Sequence, residues 1–367
     1  MSDLLVTDHT PALGSGRAMR TYMTVRALAG LAPVEVLYPV FGGPEPDAAF
    51  AAIPNVTYTA VEPSRGLARA LAYARARAAG TPPGFARGIS PELVAAAARL
   101  AEDAERVIAD GPVPAAALSG LARRRPVIYS AQNVESAFRP PGDRDTGRRQ
   151  ALARFERRLL LRVAEAWMVS HADVEIARKL APAARLRYVP NVVDVSAIDA
   201  VAPVRGGPAL LAADFTYDPN RQALAYLLEE VLPRAPEARL VVTGRGEPDA
   251  RSHPRVEVLG FVDDLPAVYR SASCVVVPLL QGGGSPLKFV EALAYGLPVV
   301  ATPRAAAGLE VVAGEHFLLG ADAEAFAAAL ERAITGDANA IARAGRRLAQ
   351  DRYSLEALTS AVAPEPV

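Results

Sequence analysis

The chain has 367 residues, 51% of them hydrophobic and 22% charged, and its 40 basic and 40 acidic side chains cancel at neutral pH. That length suits about two domains of roughly 150 residues each. The composition excludes a disordered chain, the balanced charge excludes any global pull on nucleic acid or an anionic membrane, and a lone Cys274 excludes internal disulfides and cysteine-built metal clusters.

The N-terminus, Met1-Ser2-Asp3-Leu4-Leu5-Val6, lacks the basic and apolar regions of a secretory signal, and no segment runs about 18 apolar residues without charge. A cytoplasmic location is the expectation. Lysine occurs only at Lys179 and Lys288 in a chain otherwise rich in arginine, which singles out any lysine at a motif.

From the start, short β-branched runs alternate with alanine- and arginine-rich amphipathic stretches, the pattern of parallel strands joined by crossover helices. Strands are expected near 4–7, 34–39, 56–61, 107–109, 127–130, 166–170 and 186–190. The scheme repeats near 209–213, 240–243, 256–259, 274–278, 299–302 and 316–319. Between the halves, Ala202-Pro203-Val204-Arg205-Gly206-Gly207-Pro208 breaks every period and reads as a linker. The fold class is therefore α/β, with a first Rossmann-like domain over 1–192, a linker at 193–208, a second over 209–350, and a C-terminal helix in 351–367. Two such sheets leave a cleft at the carboxyl ends of their strands, where open α/β folds place ligands.

The most informative segment follows the strand ending at Val277-Pro278: Gln281-Gly282-Gly283-Gly284-Ser285-Pro286-Leu287-Lys288-Phe289-Val290-Glu291. It reads as strand, glycine loop and helix, with Ser285 as N-cap, Pro286 at the first helical position, and Gly296 ahead of Pro298 as the stop. Free amides at such a helix start, approached closely past Gly284, form an anion site suited to a diphosphate. Lys288 would sit in the first turn, where the helix dipole disfavours a cation by about 0.3–1 kcal/mol unless an anion is present. Glu291, one turn on, could accept two hydroxyls of a ribose. A plain surface Lys–Glu pair is the competing reading, but lysine before glutamate is the less favourable order.

This segment resembles the donor-site signature of family-4 glycosyltransferases. Gly14-Ser15-Gly16-Arg17, Gln132-Asn133-Val134-Glu135, Val189-Pro190-Asn191, Asp218-Pro219-Asn220, Val242-Thr243-Gly244-Arg245-Gly246, Gly260-Phe261-Val262-Asp263-Asp264 and Gly314-Glu315-His316 are similar to family elements in the same order. The resemblance implies a GT-B fold, two Rossmann-like domains facing across a cleft, and a retaining transfer of a sugar from a nucleotide diphosphate sugar without a cofactor. It implies that the amides of Gly14 to Arg17, Gly16 among them, approach the donor phosphate, that Lys288 holds the diphosphate, and that Glu291 binds the ribose. The base would lie against the turn Phe261-Val262, with Gly244, Gly284 and Ser285 also on the donor side, and Arg17 and Asn133 facing the acceptor. It also implies that the C-terminal helix returns to the first domain.

Three positions depart from the family pattern. Gly283 stands where many members carry a first glutamate, removing a sugar-hydroxyl contact. Gln132 replaces a common histidine, and glutamine hydrogen-bonds a sugar without shuttling a proton near neutral pH. The loop Ala212-Ala213-Asp214-Phe215-Thr216-Tyr217 lacks the usual basic residues, for which Arg221 could substitute. Stabilisation of the departing diphosphate would then fall to Lys288, the Ser285 amide and Gly16.

Other readings are weaker. A dehydrogenase would need a glycine where Met19 stands and an acid closing 34–39. A metal-dependent GT-A enzyme would need its Asp-x-Asp after a strand, whereas Asp143-Arg144-Asp145 follows Pro140-Pro141-Gly142 and reads as a helix start. His9, His171, His253 and His316 have no ligand-gathering spacing, so no metal is expected. The arginine-rich stretch 148–162 reads as a solvated face in preference to a membrane contact. A non-catalytic GT-B sugar-binding or partner subunit is the alternative that Gly283 and Gln132 suggest. The acceptor, a natural product, polysaccharide or lipid-linked molecule, is not encoded in spacing.

Overall fold

The computed structural model describes residues 2–40, 45–137, 145–246, 253–282 and 285–364. Contacts divide the chain into two compact units, residues 1–190 together with 358–367, and residues 191–357.

Unit 1 holds a seven-stranded parallel sheet. In chain order its strands are β1 (Ser2–Val6), β2 (Val34–Pro39), β3 (Val56–Val61), β4 (Ala104–Asp110), β5 (Val127–Ser130), β6 (Glu165–Met168) and β7 (Leu186–Tyr188), arranged β3-β2-β1-β4-β5-β6-β7. Every run anticipated from sequence in this half is a strand. The largest difference is β4, which begins three residues early at Ala104 because Arg106, a polar residue in the extension, is held by the buried Asp3 of β1 at 2.9 and 2.5 Å. Side-chain alternation puts Leu4, Val6, Val107, Ala109, Val127 and Tyr129 on one face, packed with Leu93, Phe155 and Leu159 of covering helices.

Unit 2 holds a six-stranded parallel sheet of β8 (Ala209–Ala212), β9 (Leu240–Thr243), β10 (Val256–Gly260), β11 (Cys274–Val277), β12 (Val299–Ala301) and β13 (Leu318–Leu319), ordered β10-β9-β8-β11-β12-β13. Period two again sorts the core. Cys274 and Val276 pack with Phe326 and Leu330, while Val275 and Val277 pack with Phe289, Val290 and Leu293 on the opposite face. Both faces are covered, which is why these strands read as unbroken apolar runs.

Residues 193–208 run along unit 2. Val193, Val201, Val204 and Gly206 donate backbone hydrogen bonds to Tyr353, Tyr295, Ala272 and Ile334. The last helix, Leu355–Val362, ends in unit 1, where Arg106 donates to the Val362 carbonyl at 2.6 Å and Arg187 to the Ala363 carbonyl at 2.8 Å.

Candidate functional site

In unit 2 the candidate residues gather where β8 to β11 end at their carboxyl side. The loops there are laced by backbone contacts. Gly244 N donates to Gly260 O at 2.8 Å, and Phe215 N to Arg245 O at 2.8 Å. Gly244 has φ +134, and a Cβ built on it would fall 1.8 Å from the Ala213 carbonyl oxygen, so only glycine lets these two loops meet.

The helix after β11 spans Leu287–Tyr295 and ends at Gly296 in the left-handed conformation, as the sequence indicates. Its start corrects the sequence reading by one residue: Pro286, not Ser285, is the N-cap. The cause is local. A cap residue's carbonyl ordinarily takes the first intrahelical bond, but the Ser285 carbonyl accepts from Asn191 Nδ2 at 3.0 Å, and Phe289 N donates to Pro286 O. The Ser285 hydroxyl caps nothing; it is buried and without a partner. Gly284, like Gly283, lies outside the described residues.

Lys288 remains in the first helical turn. Its Nζ donates to Asn220 Oδ1 at 2.7 Å, and Asn220 is fixed by its own Nδ2 on the Asp214 carbonyl at 2.7 Å. Burial lowers the Lys288 pKa to about 8, with Asp214 opposing from a distance. Glu291 points to a different partner: Tyr269 Oη donates to its Oε2 at 3.0 Å. Burial raises the carboxyl pKa and the tyrosine bond opposes that rise. Tyr269 is itself fixed by stacking on Tyr295, centroids 4.1 Å apart and planes 13° apart. The surface Lys–Glu pair is thus replaced by two separately held, desolvated charges on one helix.

Phe261, 64% exposed, follows Gly260 with Val262 beside it, and the Arg245 guanidinium lies 5.6 Å from its ring centroid. Arg221 is engaged within its own loop. Its guanidinium donates to the carbonyls of Phe215 and Thr216 at 2.9 and 3.0 Å and to Asp218 at 2.9 Å, so it closes its own loop instead of offering free donors.

In unit 1, Ser15 caps the helix Gly16–Ala29 by accepting from Ala18 N at 3.1 Å, leaving Gly16 exposed at the first helical position. Arg17 pairs with Asp8, and Gly111, at φ +99, leaves room for the guanidinium. Gln132 donates from Nε2 to the buried Asp110 at 3.1 Å, and Asn133 keeps a buried, unpartnered Oδ1. Close by, Glu156 accepts from the amides of Glu135 and Ser136 at 2.5 and 3.0 Å. Burial, with Glu156 adding and Arg17 opposing, raises the Glu135 pKa to about 7. Asp145 is the N-cap of the helix Thr146–Leu160, as read from sequence; Asp143 is outside the described residues. Among the described residues no cluster of three or more His, Cys, Asp or Glu could hold a metal, and no helix is long and apolar enough to cross a membrane.

Sequence reading missed Asn220 as the partner of Lys288, Tyr269 as the partner of Glu291, and Asp110 as that of Gln132. Two of these carried a signal: Asn220 within the family-like Asp218-Pro219-Asn220, and Asp110 as an acid closing a strand.

Comparison with solved structures gives the class. Sucrose-phosphate synthase from Thermosynechococcus elongatus superposes with a TM-score of 0.77 at 16% identity, covering 98% of this chain and 96% of that one. HepE of Anabaena, in complex with UDP and glucose, gives a TM-score of 0.71 at 15% identity over 98% and 97%. The architecture is that of the GT-B glycosyltransferases. Residues 209–336 match the family described as glycosyl transferases group 1. Phosphatidyl-myo-inositol mannosyltransferase from Mycobacterium leprae (strain TN) is 30% identical over 165 residues, which is 41% of this chain and 44% of that protein. The chain thus has the GT-B architecture, and its residues 209–336 carry the match to the glycosyl transferases group 1 family.

Proposed function

We propose that the chain moves a sugar from a UDP-type nucleotide sugar to a hydroxyl of an acceptor, with retention of anomeric configuration and without a metal. The observation that carries the donor site is the pair of desolvated charges on the helix Leu287–Tyr295, Lys288 in its first turn and Glu291 one turn later, beside the buried, unpartnered Ser285 hydroxyl. A half-buried, poorly solvated ammonium at the positive end of a helix is costly unless an anion arrives. A diphosphate supplies that anion, and Glu291 then faces the ribose hydroxyls. Phe261 and Val262 offer a surface for the base. The choice of UDP is supported by the UDP bound in HepE.

In the reaction the bond from the anomeric carbon to the β-phosphate oxygen breaks and a bond to the acceptor oxygen forms on the same face. The acceptor proton passes to the departing phosphate, so a side-chain base is not required. Lys288 and the amides at the start of its helix stabilise the leaving diphosphate. Gln132 and Asn133 serve the sugar and acceptor. We place this chemistry in the cytoplasm, which the single buried thiol of Cys274 permits.

A thermal-shift and hydrolysis screen against a panel of nucleotide sugars tests the reading. Stabilisation and slow hydrolysis by one UDP-sugar, both lost in Lys288→Ala, are the expected results. Binding without hydrolysis or transfer would instead assign the chain to a non-catalytic sugar-binding role.

A further inference from the structure

Five side chains of unit 1 form one hydrogen-bonded row at the carboxyl ends of its central strands. Thr7 Oγ1 lies 2.8 Å from His9 Nδ1, and His9 Nε2 lies 3.3 Å from Thr21 Oγ1. Thr21 Oγ1 lies 2.5 Å from Asp110 Oδ2, and Gln132 Nε2 lies 3.1 Å from Asp110 Oδ1. Thr7 and His9 follow β1, Thr21 sits on the helix Gly16–Ala29, Asp110 ends β4, and Gln132 follows β5.

Donation at the centre of the row converges on Asp110. Asp110 is fully buried, and as a carboxylate it only accepts. Thr21 gives its single proton to Asp110 at 2.5 Å, the nearer of its two acceptors, the other being the Arg17 carbonyl at 3.2 Å, and its oxygen lies 3.3 Å from His9 Nε2. His9 Nδ1 meets the Thr7 hydroxyl at 2.8 Å, with the Asp8 carboxylate 3.6 Å away. The second carboxylate oxygen takes an N–H of Gln132, which turns the amide oxygen away from Asp110. Gln132 is half-buried, and its Oε1 has no partner among the described residues.

We infer that His9, Thr21 and Asp110 are positioning residues that hold the Gln132 amide with Oε1 outward, so that it accepts a hydrogen bond from a hydroxyl of the transferred sugar. This rests on the glycosyl-transfer reading above. The arrangement explains how glutamine serves where histidine is common. A free glutamine amide presents either end, whereas this one keeps an N–H on Asp110 and so holds its oxygen in a fixed direction as an acceptor for a sugar hydroxyl.

The test combines a spectrum with kinetics. The chain has five glutamines, so selective 15N-glutamine labelling gives few side-chain amide pairs, and the Gln132 pair is assigned by its loss in Gln132→Glu. In the wild type this pair should exchange slowly with solvent. Thr21→Val and Asp110→Asn should shift it and speed its exchange, and Thr21→Ser, which keeps the hydroxyl, should restore it. With UDP-glucose as probe, Thr21→Val and Asp110→Asn should lower kcat for hydrolysis about tenfold, the size of one misdirected hydrogen bond, while the affinity for UDP, which has no transferred sugar, stays at the wild-type value. Thr21→Ser should recover the rate. Wild-type spectra and rates in both disruptive variants overturn the inference, as does a disturbed amide that Thr21→Ser leaves unrestored. If the wild-type protein hydrolyses no nucleotide sugar, the glycosyl-transfer reading fails, and the amide spectrum still decides whether the row orients Gln132.

Discussion

Lys288 and Asn220 are joined by a 2.7 Å hydrogen bond from the ammonium to the amide oxygen, and that neutral partner is what leaves the lysine charge uncompensated. An ammonium whose folded pKa is lowered contributes stability that is present above its ordinary value of 10.5 and is lost as pH falls through about 8. Lys288→Met should therefore raise the melting temperature of the ligand-free protein at pH 7, and the gain should vanish by about pH 10.5. The same variant should lose at least about 100-fold in turnover, the usual scale for removing one preorganised donor. Calorimetric scans at pH 7 and 10.5, paired with a hydrolysis assay, check both halves. A variant that is less stable than wild type at pH 7 contradicts the assignment of a desolvated charge.

Tyr269→Phe removes the single hydroxyl that steadies Glu291. The loss should cost about 1 kcal/mol of stability, the net value of one hydrogen bond. Without it the Glu291 carboxyl titrates at still higher pH, because burial alone then acts. Under the donor-site reading, UDP affinity in this variant should begin to weaken at a higher pH than in wild type as pH falls. Isothermal titration at several pH values is the measurement, and parallel pH curves for the two proteins count against it.

Gly244→Ala places a methyl group on the Ala213 carbonyl in a backbone conformation closed to alanine. It should destabilise unit 2 by about 2 kcal/mol or more. Gly260, at φ +70 with nothing within 4 Å of a built Cβ, is the control. Asparagine there should cost less than about 1 kcal/mol, since it tolerates the left-handed region. Denaturant midpoints of the two variants should separate clearly, and equal midpoints would remove the steric argument.

Glu135 titrates upward, from an ordinary 4.5 to about 7, because burial and Glu156 both oppose its charge. Its favourable contribution is full below pH 4.5 and is lost as pH rises through 7. Glu135→Gln should be more stable than wild type at pH 8 and lose that advantage by pH 4.5. A pH series of melting temperatures tests the sign directly.

The strands were legible as short, mostly apolar runs between helical stretches, a local property of the chain, even where they are only partly buried, as in β3 and β10. The helix after β11 was legible from its apolar period and its Gly296 stop. The partners were not. Lys288 finds Asn220 across 68 residues, and Thr21 finds Asp110 across 89, pairings that only sheet order 2-1-4-5 in unit 1 and the β8–β11 neighbourhood in unit 2 create. The one-residue error at Ser285 has a similar origin, since its carbonyl is claimed by Asn191, 94 residues away. The loop bonds of Arg221 were not legible either, because propensity says nothing about carbonyls in its own loop competing for a guanidinium.

Because residues 358–364 complete unit 1, the chain departs that unit once and comes back to it, which makes unit 2 an insertion within a discontinuous fold. A fragment of residues 191–357 is therefore a contiguous expression target. A fragment ending at Pro190 lacks a native segment and leaves Arg106 and Arg187 without the carbonyls of Val362 and Ala363. Adding the last ten residues as a separate peptide offers a complementation assay, in which rescue of the fragment's solubility reports how strongly the returning tail seals unit 1.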